Sequence, residues 1–150
     1  MQAIPPEYRA TETVGRIALI AESFERLLGR SLVNAGQDVV SALWQAPLAI
    51  VAHGTESDPR FFFANRVALA AFKATPGQFI GMPSRLSAEA PQREERQALL
   101  DRVSLRGFID DYAGVRVTLT GEHFHIENAT VWNLLDEAGM RHGQAAAFAV

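Results

Sequence analysis

The sequence predicts an α+β fold with antiparallel strands, on three observations. Two short apolar runs separated by turn-forming residues lie between residues 48 and 64, and helix signals follow up to residue 106. From residue 108 onward, apolar and polar residues alternate in long segments joined by short turns, which is typical of half-buried antiparallel strands. Strands and helices that occupy separate stretches of a chain favour an α+β fold over an alternating α/β fold.

The composition is that of a single globular domain. The chain has 150 residues, of which 48% are hydrophobic and 21% are charged, with a formal net charge of −3. It has no cysteine, which excludes disulfides, thiolate metal sites, cysteine nucleophiles and flavin–cysteinyl photochemistry. Acidic and basic residues are interleaved, so we expect no nucleic-acid partner. Neither a signal peptide nor an apolar run of about 20 residues is visible, so we expect a cytoplasmic location and no membrane partner.

The N-terminal region is predicted to be a tether followed by an amphipathic helix. Pro5 and Pro6 stiffen residues 1–12 and exclude an early helix. From a predicted cap at Thr13, apolar residues recur at helical spacing as far as Gly29, a typical helix end. The apolar stripe consists of Ile17, Ala21, Phe24 and Leu28. We expect this stripe to pack on the sheet or against its twin in a homodimer, because its apolar face needs a partner.

Caps, breakers and alternation predict the remaining elements. The predicted helices cover Gln37–Gln45, the segment from the cap Asn65 to Lys73, Thr75–Gln78 with a capping box, and Pro91–Arg106. The predicted strands cover 48–53, 60–64, 108–120, 123–135 and 142–150. Residues 1–46 are thus assigned to a tether and helices, and residues 47–150 to the domain itself. Two strands, short helices and three long antiparallel strands form the element order of a PAS domain.

Several stretches of the chain also resemble a known family. They are HGTESDPRFFFANRVALAAF (53–72), PSRLSAE (83–89), REER (93–96), GFIDDYAGVR (107–116), IENATVWNLLDEAG (126–139) and GQAAAF (143–148). The chain is identified by them as a bacterial stand-alone member of the MEKHLA family, a PAS-like domain also found at the C-terminus of plant class III homeodomain–leucine-zipper proteins. The resemblance implies a five-stranded antiparallel sheet of order 2-1-5-4-3 with helices on one face. PAS relatives use that face for ligands, signalling or partner contacts, but the resemblance assigns no catalytic or ligand-binding residue.

Polar residues at inward positions of the last strands suggest a ligand site. Unless a bulge intervenes, Asn128 and Thr130 share the phase of the apolar Phe124, Ile126 and Trp132. Gln144 and Asp111 also fall at apolar phases of their strands. Such groups either bond to the backbone, to each other or to water, or they anchor a ligand in a cavity. The predicted cavity is lined by Phe72, Phe79, Arg85, Phe124, Ile126, Asn128, Thr130, Trp132 and Gln144.

Three further groups have both a chemical and a structural interpretation. Arg85 could bind an anion at the cavity rim or tie its loop to Glu89 or Asp111. His123, His125 and Glu127 alternate on one strand face and could bind a metal, but they are opposite in phase to Phe124, so a solvent-facing surface is favoured. His53 ends an apolar strand before a glycine and could bind haem, but haem ligands of PAS relatives usually come from the helical region. No metal site is therefore assigned, and no cofactor is identified.

The leading interpretation is a PAS-type sensory or regulatory module that binds a small molecule or a protein partner. One alternative is a protein-interaction or dimerisation module with a packed core. A second is a small α+β enzyme with acid–base chemistry. The sequence contains no G-x-S-x-G nucleophile elbow and no glycine-rich phosphate motif, so we expect that the protein is not an enzyme.

Overall fold

The computed structural model of the chain describes residues 3–34, 38–88 and 93–150. Its helices are α1 (Thr11–Leu28), α2 (Val39–Gln45), α3 (Arg66–Phe72), α4 (Pro76–Phe79) and α5 (Arg93–Arg106), with short 3-10 turns at Pro6–Arg9 and Ser84–Ser87. Its strands are β1 (Ala49–His53), β2 (Phe61–Ala64), β3 (Phe108–Val117), β4 (His123–Leu135) and β5 (Arg141–Phe148). No helix among the described residues is long and apolar enough to span a bilayer.

The five strands form one antiparallel sheet in the order β2-β1-β5-β4-β3. The predicted strands and their order are therefore confirmed. Gly143 permits the close approach of β5 to β1 at the centre of this sheet. A Cβ atom at this glycine would overlap the carbonyl oxygen of His53, and the glycine has a φ of 153° that other residues rarely adopt.

Side-chain caps begin the helices largely where the sequence predicts them. Asn65 caps α3, and Thr75 forms the predicted capping box with Gln78 at the start of α4. The helix α1 ends at Gly29 as predicted, but it begins at Thr11 rather than after a cap at Thr13. The predicted helix starts at Gln37 and Pro91 lie outside the described residues.

The sheet is covered on both faces, and the strand register assigns side chains to each face. One face carries Phe124 of β4 and Phe148 of β5, which contact Phe72 of α3. We call this the aromatic face. The other face carries Trp132, whose ring lies 4.9 Å from that of Phe24 in α1. We call this the α1 face. Paired residues of adjacent strands point to the same side of the sheet. The side chains of the aromatic face and those of the α1 face can therefore be assigned strand by strand from the register.

The stripe of α1 packs against its own sheet. Ile17 and Phe24 are almost fully buried inside the chain. The indole Nε1 of Trp132 donates a 3.0 Å hydrogen bond to the Ile20 carbonyl oxygen. The Ser23 hydroxyl accepts a bond from the Leu135 amide at 2.8 Å and donates one to the Leu135 carbonyl at 3.1 Å. The expectation of packing on the sheet is confirmed, and the same two buried side chains cannot form a homodimer seam in this arrangement.

The prediction that residues 1–12 form only a tether is wrong. Tyr8 is fully buried and packs against Trp44 and Phe63. Its hydroxyl donates a 2.7 Å hydrogen bond to the Ala64 carbonyl and accepts one from the Ala64 amide at 3.2 Å. Tyr8, α1 and α2 thus share one apolar core with the sheet. Pro5 and Pro6 prevent an early α-helix, but they are compatible with the 3-10 turn at Pro6–Arg9, which places Tyr8 in the core.

A bulge in β4 overturns the predicted phase of three residues. Ile126 pairs with Gly114 and Ala129 pairs with Tyr112, so β4 uses one more residue than β3 between these pairs. Asn128 lies in the bulge with a φ of 52° and is exposed. Thr130 and Trp132 consequently point to the α1 face, opposite to Phe124. A second irregularity between Ile109 and Tyr112 leaves Asp111 exposed and paired with Arg102, so its predicted inward position is also wrong.

Candidate functional site

The aromatic face is tightly packed at one end. The rings of Phe72 and Phe124 lie 5.2 Å apart, those of Phe72 and Phe79 also 5.2 Å, and those of Phe61 and Phe79 4.3 Å. Phe148 lies against both Phe72 and Phe124. The predicted lining residues Phe72, Phe79 and Phe124 are therefore brought together. They contact one another as a packed core.

The other end of the same face carries a row of polar side chains, which we call the polar row. It consists of His53 on β1, Gln144 on β5 and Asn133 on β4. His53 pairs with Gln144, and Gln144 pairs with Asn133, so the three side chains lie side by side on adjacent strands. The Gln144 amide nitrogen is 3.5 Å from the Asn133 oxygen, which also accepts a 3.2 Å bond from Arg141 Nε. All three members are partly exposed.

Along β5, an apolar floor separates the polar row from the ring of Phe148, whereas Phe61 of β2 pairs directly with His53. One pair further along each strand, Val51 lies opposite Ala146, and Ala146 lies opposite Val131. These side chains are small or medium in size and largely buried. The face therefore carries partly exposed hydrogen-bonding groups beside a buried apolar patch. This combination of an apolar surface and a few convergent polar groups is typical of small-molecule sites.

His53 is held in its neutral form by its surroundings. Burial lowers the pKa of His53, and the nearby Arg141 guanidinium adds to that effect. Hydrogen bonds with Gly54 and Gln144 and the charge of Glu56 act in the opposite direction but are outweighed. The ring Nδ1 lies 2.9 Å from the Gly54 carbonyl oxygen, which can only accept, so Nδ1 carries the proton. At neutral pH the polar row thus contains an uncharged imidazole and two carboxamides.

The remaining predicted site residues lie elsewhere. Thr130 and Trp132 are on the α1 face, where Trp132 is bonded to α1. Arg85 is exposed and bonded through its Nε to both carboxylate oxygens of Asp58 at 3.2 and 3.3 Å. The predicted tie of Arg85 to Asp111 is not formed, because Asp111 pairs with Arg102, and Glu89 lies outside the described residues. Ile126 stays on the aromatic face beside the packed rings and is buried.

Two members of the polar row were missed by sequence reasoning. His53 was considered only as a haem ligand, although it continues the alternation of Ala49 and Val51 and so shares their face. Asn133 is out of phase with Phe124 in the sequence, and only the bulge at Asn128 returns it to the aromatic face. The alternation in β1 could have revealed His53, whereas no local signal could have revealed Asn133.

The alternating histidines of β4 are exposed. His123, His125 and Glu127 all lie at the surface, opposite in phase to the partly buried Phe124 and the buried Ile126. The prediction of their outward direction is confirmed. Within residues 3–34, 38–88 and 93–150, no three His, Asp or Glu side chains gather in an arrangement that could hold a metal ion.

A second feature is a cavity of about 270 Å³ that contains no member of the polar row in its lining. It lies between the N-terminal segment, the loop after β1 and the segment after α4. Its lining residues are Glu7, Tyr8, Thr13, Arg16, Glu56, Arg60, Phe61, Phe62, Ile80 and Gly81. We call this space the N-terminal cavity, because four of its lining residues precede the sheet.

Comparison with known proteins identifies the family and the fold. Residues 14–150 match the MEKHLA domain, and no curated protein matches the chain in sequence. The PAS domain of a protein from Colwellia psychrerythraea is 16% identical with a TM-score of 0.63, over 72% of this chain and 89% of that one. The light-state dimer of the fungal blue-light photoreceptor Vivid is 12% identical with a TM-score of 0.60, over 94% and 95%.

An RNA-binding light-oxygen-voltage receptor has the same architecture in part of its chain. It is 19% identical with a TM-score of 0.62, over 73% of this chain but only 31% of the receptor. Identities this low establish a shared fold. The order of the five strands and these three structures together establish that the fold is PAS-like.

Proposed function

We propose that this chain, which belongs to the MEKHLA domain family, is a sensory or regulatory module that binds a small molecule on the aromatic face of its sheet. The fold that it shares with PAS and light-oxygen-voltage domains supports a sensory role. The observation that carries the proposal is the polar row at the edge of an apolar floor. Its three side chains come from rigid adjacent strands, so their spacing is set by the sheet itself.

The chemistry of the polar row indicates the class of ligand. A neutral imidazole and two carboxamides offer both donors and acceptors and carry no net charge. The floor of Val51, Ala146 and Val131 favours a flat apolar body beside them. We therefore propose a small, mostly uncharged molecule with one edge that both donates and accepts hydrogen bonds. Because the chain has no cysteine, the ligand is not held through a cysteinyl bond.

The proposed role is not enzymatic. Two acidic side chains have structural partners: Asp38 caps α2, and Asp136 bonds to two amides of the β4–β5 turn and to His142. The only imidazole in the polar row is neutral and bonded to its own backbone neighbour. We therefore propose binding rather than acid–base catalysis at the polar row.

Native mass spectrometry and absorption spectroscopy of gently purified protein test the proposal. We expect an added mass that is released on denaturation. Gln144→Ala should retain less of it, by about tenfold in affinity, because one specific hydrogen bond is lost. Gln144 is partly exposed, so the free energy of unfolding should change by no more than about 0.5 kcal/mol.

Asn128→Gly provides the matched control, since it removes an exposed carboxamide from the same sheet and suits the positive φ at the bulge. It should bind the added mass as the unmodified chain does. Protein that carries no ligand from cells or from a metabolite extract, or equal binding by Gln144→Ala, would contradict the proposal. The packed-core interaction module would then be the better interpretation.

A further inference from the structure

The N-terminal cavity contains an unusual set of charged side chains. Two guanidinium groups, from Arg16 and Arg60, and two carboxylates, from Glu7 and Glu56, line a space of about 270 Å³. Among the described residues, none of these four groups forms an ion pair with another or with any other side chain. The space thus holds two positive and two negative groups that lie beyond salt-bridge distance of one another.

Specific contacts hold three of these groups in place. The Arg16 guanidinium carbon lies 4.0 Å above the centre of the Phe62 ring, a cation–π contact. Arg60 donates from Nη1 to the Gly81 carbonyl at 2.7 Å. Glu56 Oε1 accepts a 3.4 Å bond from the Arg60 backbone amide. These contacts are to rings and backbone groups, so the charges are positioned without being neutralised.

Gly54 allows two opposite charges to lie close together beside the N-terminal cavity. A Cβ atom at Gly54 would lie 2.5 Å from Glu56 Oε1 and 2.6 Å from Arg16 Nη2. Any larger residue would therefore push both groups away. The missing side chain at Gly54 leaves a carboxylate and a guanidinium side by side, each with hydrogen-bonding capacity toward the cavity.

We propose that the N-terminal cavity binds a free amino acid with an apolar side chain, independently of the polar row. A guanidinium presents two parallel N–H donors that match a carboxylate, and Arg16 and Arg60 both line the space. The ligand ammonium pairs with Glu56 or Glu7. The apolar part of the lining, which includes Phe61 and Ile80, accommodates the side chain. The volume falls just below the ~300–1,000 Å³ typical of drug-sized ligands, as suits a small metabolite.

The position of this cavity couples binding to the N-terminal segment. Glu7, Tyr8, Thr13 and Arg16 belong to the segment that covers the α1 face, and the other lining residues belong to the loop after β1, to β2 and to the turn after α4. A ligand that contacts both sides stabilises the docked segment, because it binds only when the two sides are together. The amino acid therefore regulates how firmly α1 is held.

An NMR titration of the full chain with L-leucine tests the binding. We expect saturable shifts of the Glu56, Phe62 and Gly81 amides. Leucinamide lacks the carboxylate and 4-methylpentanoate lacks the ammonium, so each should bind at least about tenfold more weakly. If leucine gives no saturable shift up to its solubility limit, or if either analogue binds as tightly, the proposal is wrong. This comparison uses the unmodified chain and does not depend on any variant folding.

A pair of matched variants tests the role of the guanidinium. Arg16→Met keeps an unbranched side chain over Phe62 but removes the charge, and it should weaken leucine binding by about tenfold to a hundredfold. Arg30→Met is the control, because Arg30 lies 5.0 Å over the Phe24 ring beyond the C-terminal end of α1, away from the cavity. Unchanged binding by Arg16→Met would overturn the assignment. Leucine should also slow amide hydrogen exchange in α1, and unchanged exchange at saturation would overturn the coupling.

Discussion

The two faces of the sheet use their polar groups in different ways. On the α1 face, the indole of Trp132 and the hydroxyl of Ser23 each bond to backbone groups of a facing element, and both residues are fully buried. On the aromatic face, His53, Gln144 and Asn133 remain partly exposed, and Gln144 and Asn133 contact each other as side chains. Buried hydrogen bonds from a side chain to the backbone keep α1 and β4 in one arrangement. Partly exposed side chains, in contrast, can exchange their hydrogen-bond partners for a ligand. The α1 face is therefore held by fixed bonds, and under the proposed function the polar row is the part that recognises a ligand.

The largest effect should come from a change that disturbs both faces together. Gly143→Ala places a Cβ atom against the His53 carbonyl between the central strands. We expect a loss of about 3 kcal/mol in the free energy of unfolding, since neither backbone can move without breaking the β1–β5 ladder. Urea denaturation followed by circular dichroism measures it. Gly77→Ala is the control, because a Cβ atom at Gly77 meets no atom within 4 Å. If both variants lost a similarly small amount of stability, the central strands would not be tightly constrained.

An intermediate effect should isolate the α1 face. Ser23→Ala removes the hydroxyl that bonds to both backbone groups of Leu135. We expect a loss of about 1–3 kcal/mol in the free energy of unfolding, because the partly buried Leu135 amide then loses its side-chain partner. The exposed Ser31→Ala should stay within about 0.5 kcal/mol. Faster hydrogen exchange in α1 and unchanged exchange in β1 would support the division between the faces, and equal acceleration in both would contradict it.

The smallest effect should appear as a pH dependence of the aromatic face. The pKa of His53 is lowered in the folded chain, so the unfolded chain binds more protons as the pH falls below the ordinary histidine value of about 6.5. Stability is therefore full above that value and declines toward pH 5. His53→Gln should remove this decline. The lowered pKa values of Asp38, Glu122 and Asp136 cause a further loss only at lower pH, where they act equally in both chains. Parallel curves for the two chains between pH 7 and pH 5 would contradict the prediction.

The fold could be predicted from the sequence, but the candidate site could be predicted only in part. Local signals such as the capping box at Thr75 and the cap at Asn65 depend on neighbours in the chain, and both were confirmed. The alternation located the five strands correctly. The direction of Trp132 depends instead on a bulge whose residue, Asn128, has no distinctive sequence pattern. One extra residue reverses every later side chain of the strand. The polar row could not be assembled from the sequence because Asn133 joins it only after that reversal.

The buried role of Asn65 shows how a correct local prediction can be incomplete. Its oxygen accepts the α3 amide of Ala68 as a cap does, at 3.0 Å. The same oxygen also accepts the amide of Ile50, and its nitrogen donates to the carbonyls of Leu43 and Leu48. The helix cap follows from neighbouring residues, but the other three bonds join elements that are distant in sequence. They become visible only when the fold is known.

The Tyr8 hydroxyl has a consequence for how the chain can be shortened. β2 is an edge strand, and the outward amide and carbonyl of Ala64 are both occupied by Tyr8. A fragment that began at residue 14, where the family match starts, would lose this contact. It would leave the amide and carbonyl of Ala64 unpaired at this edge, next to the apolar surface of Phe63 and Trp44, while Phe61 stays bonded to Gly81 and Met82. Such an edge is a template for pairing between molecules, so the fragment should self-associate while the longer chain stays dispersed.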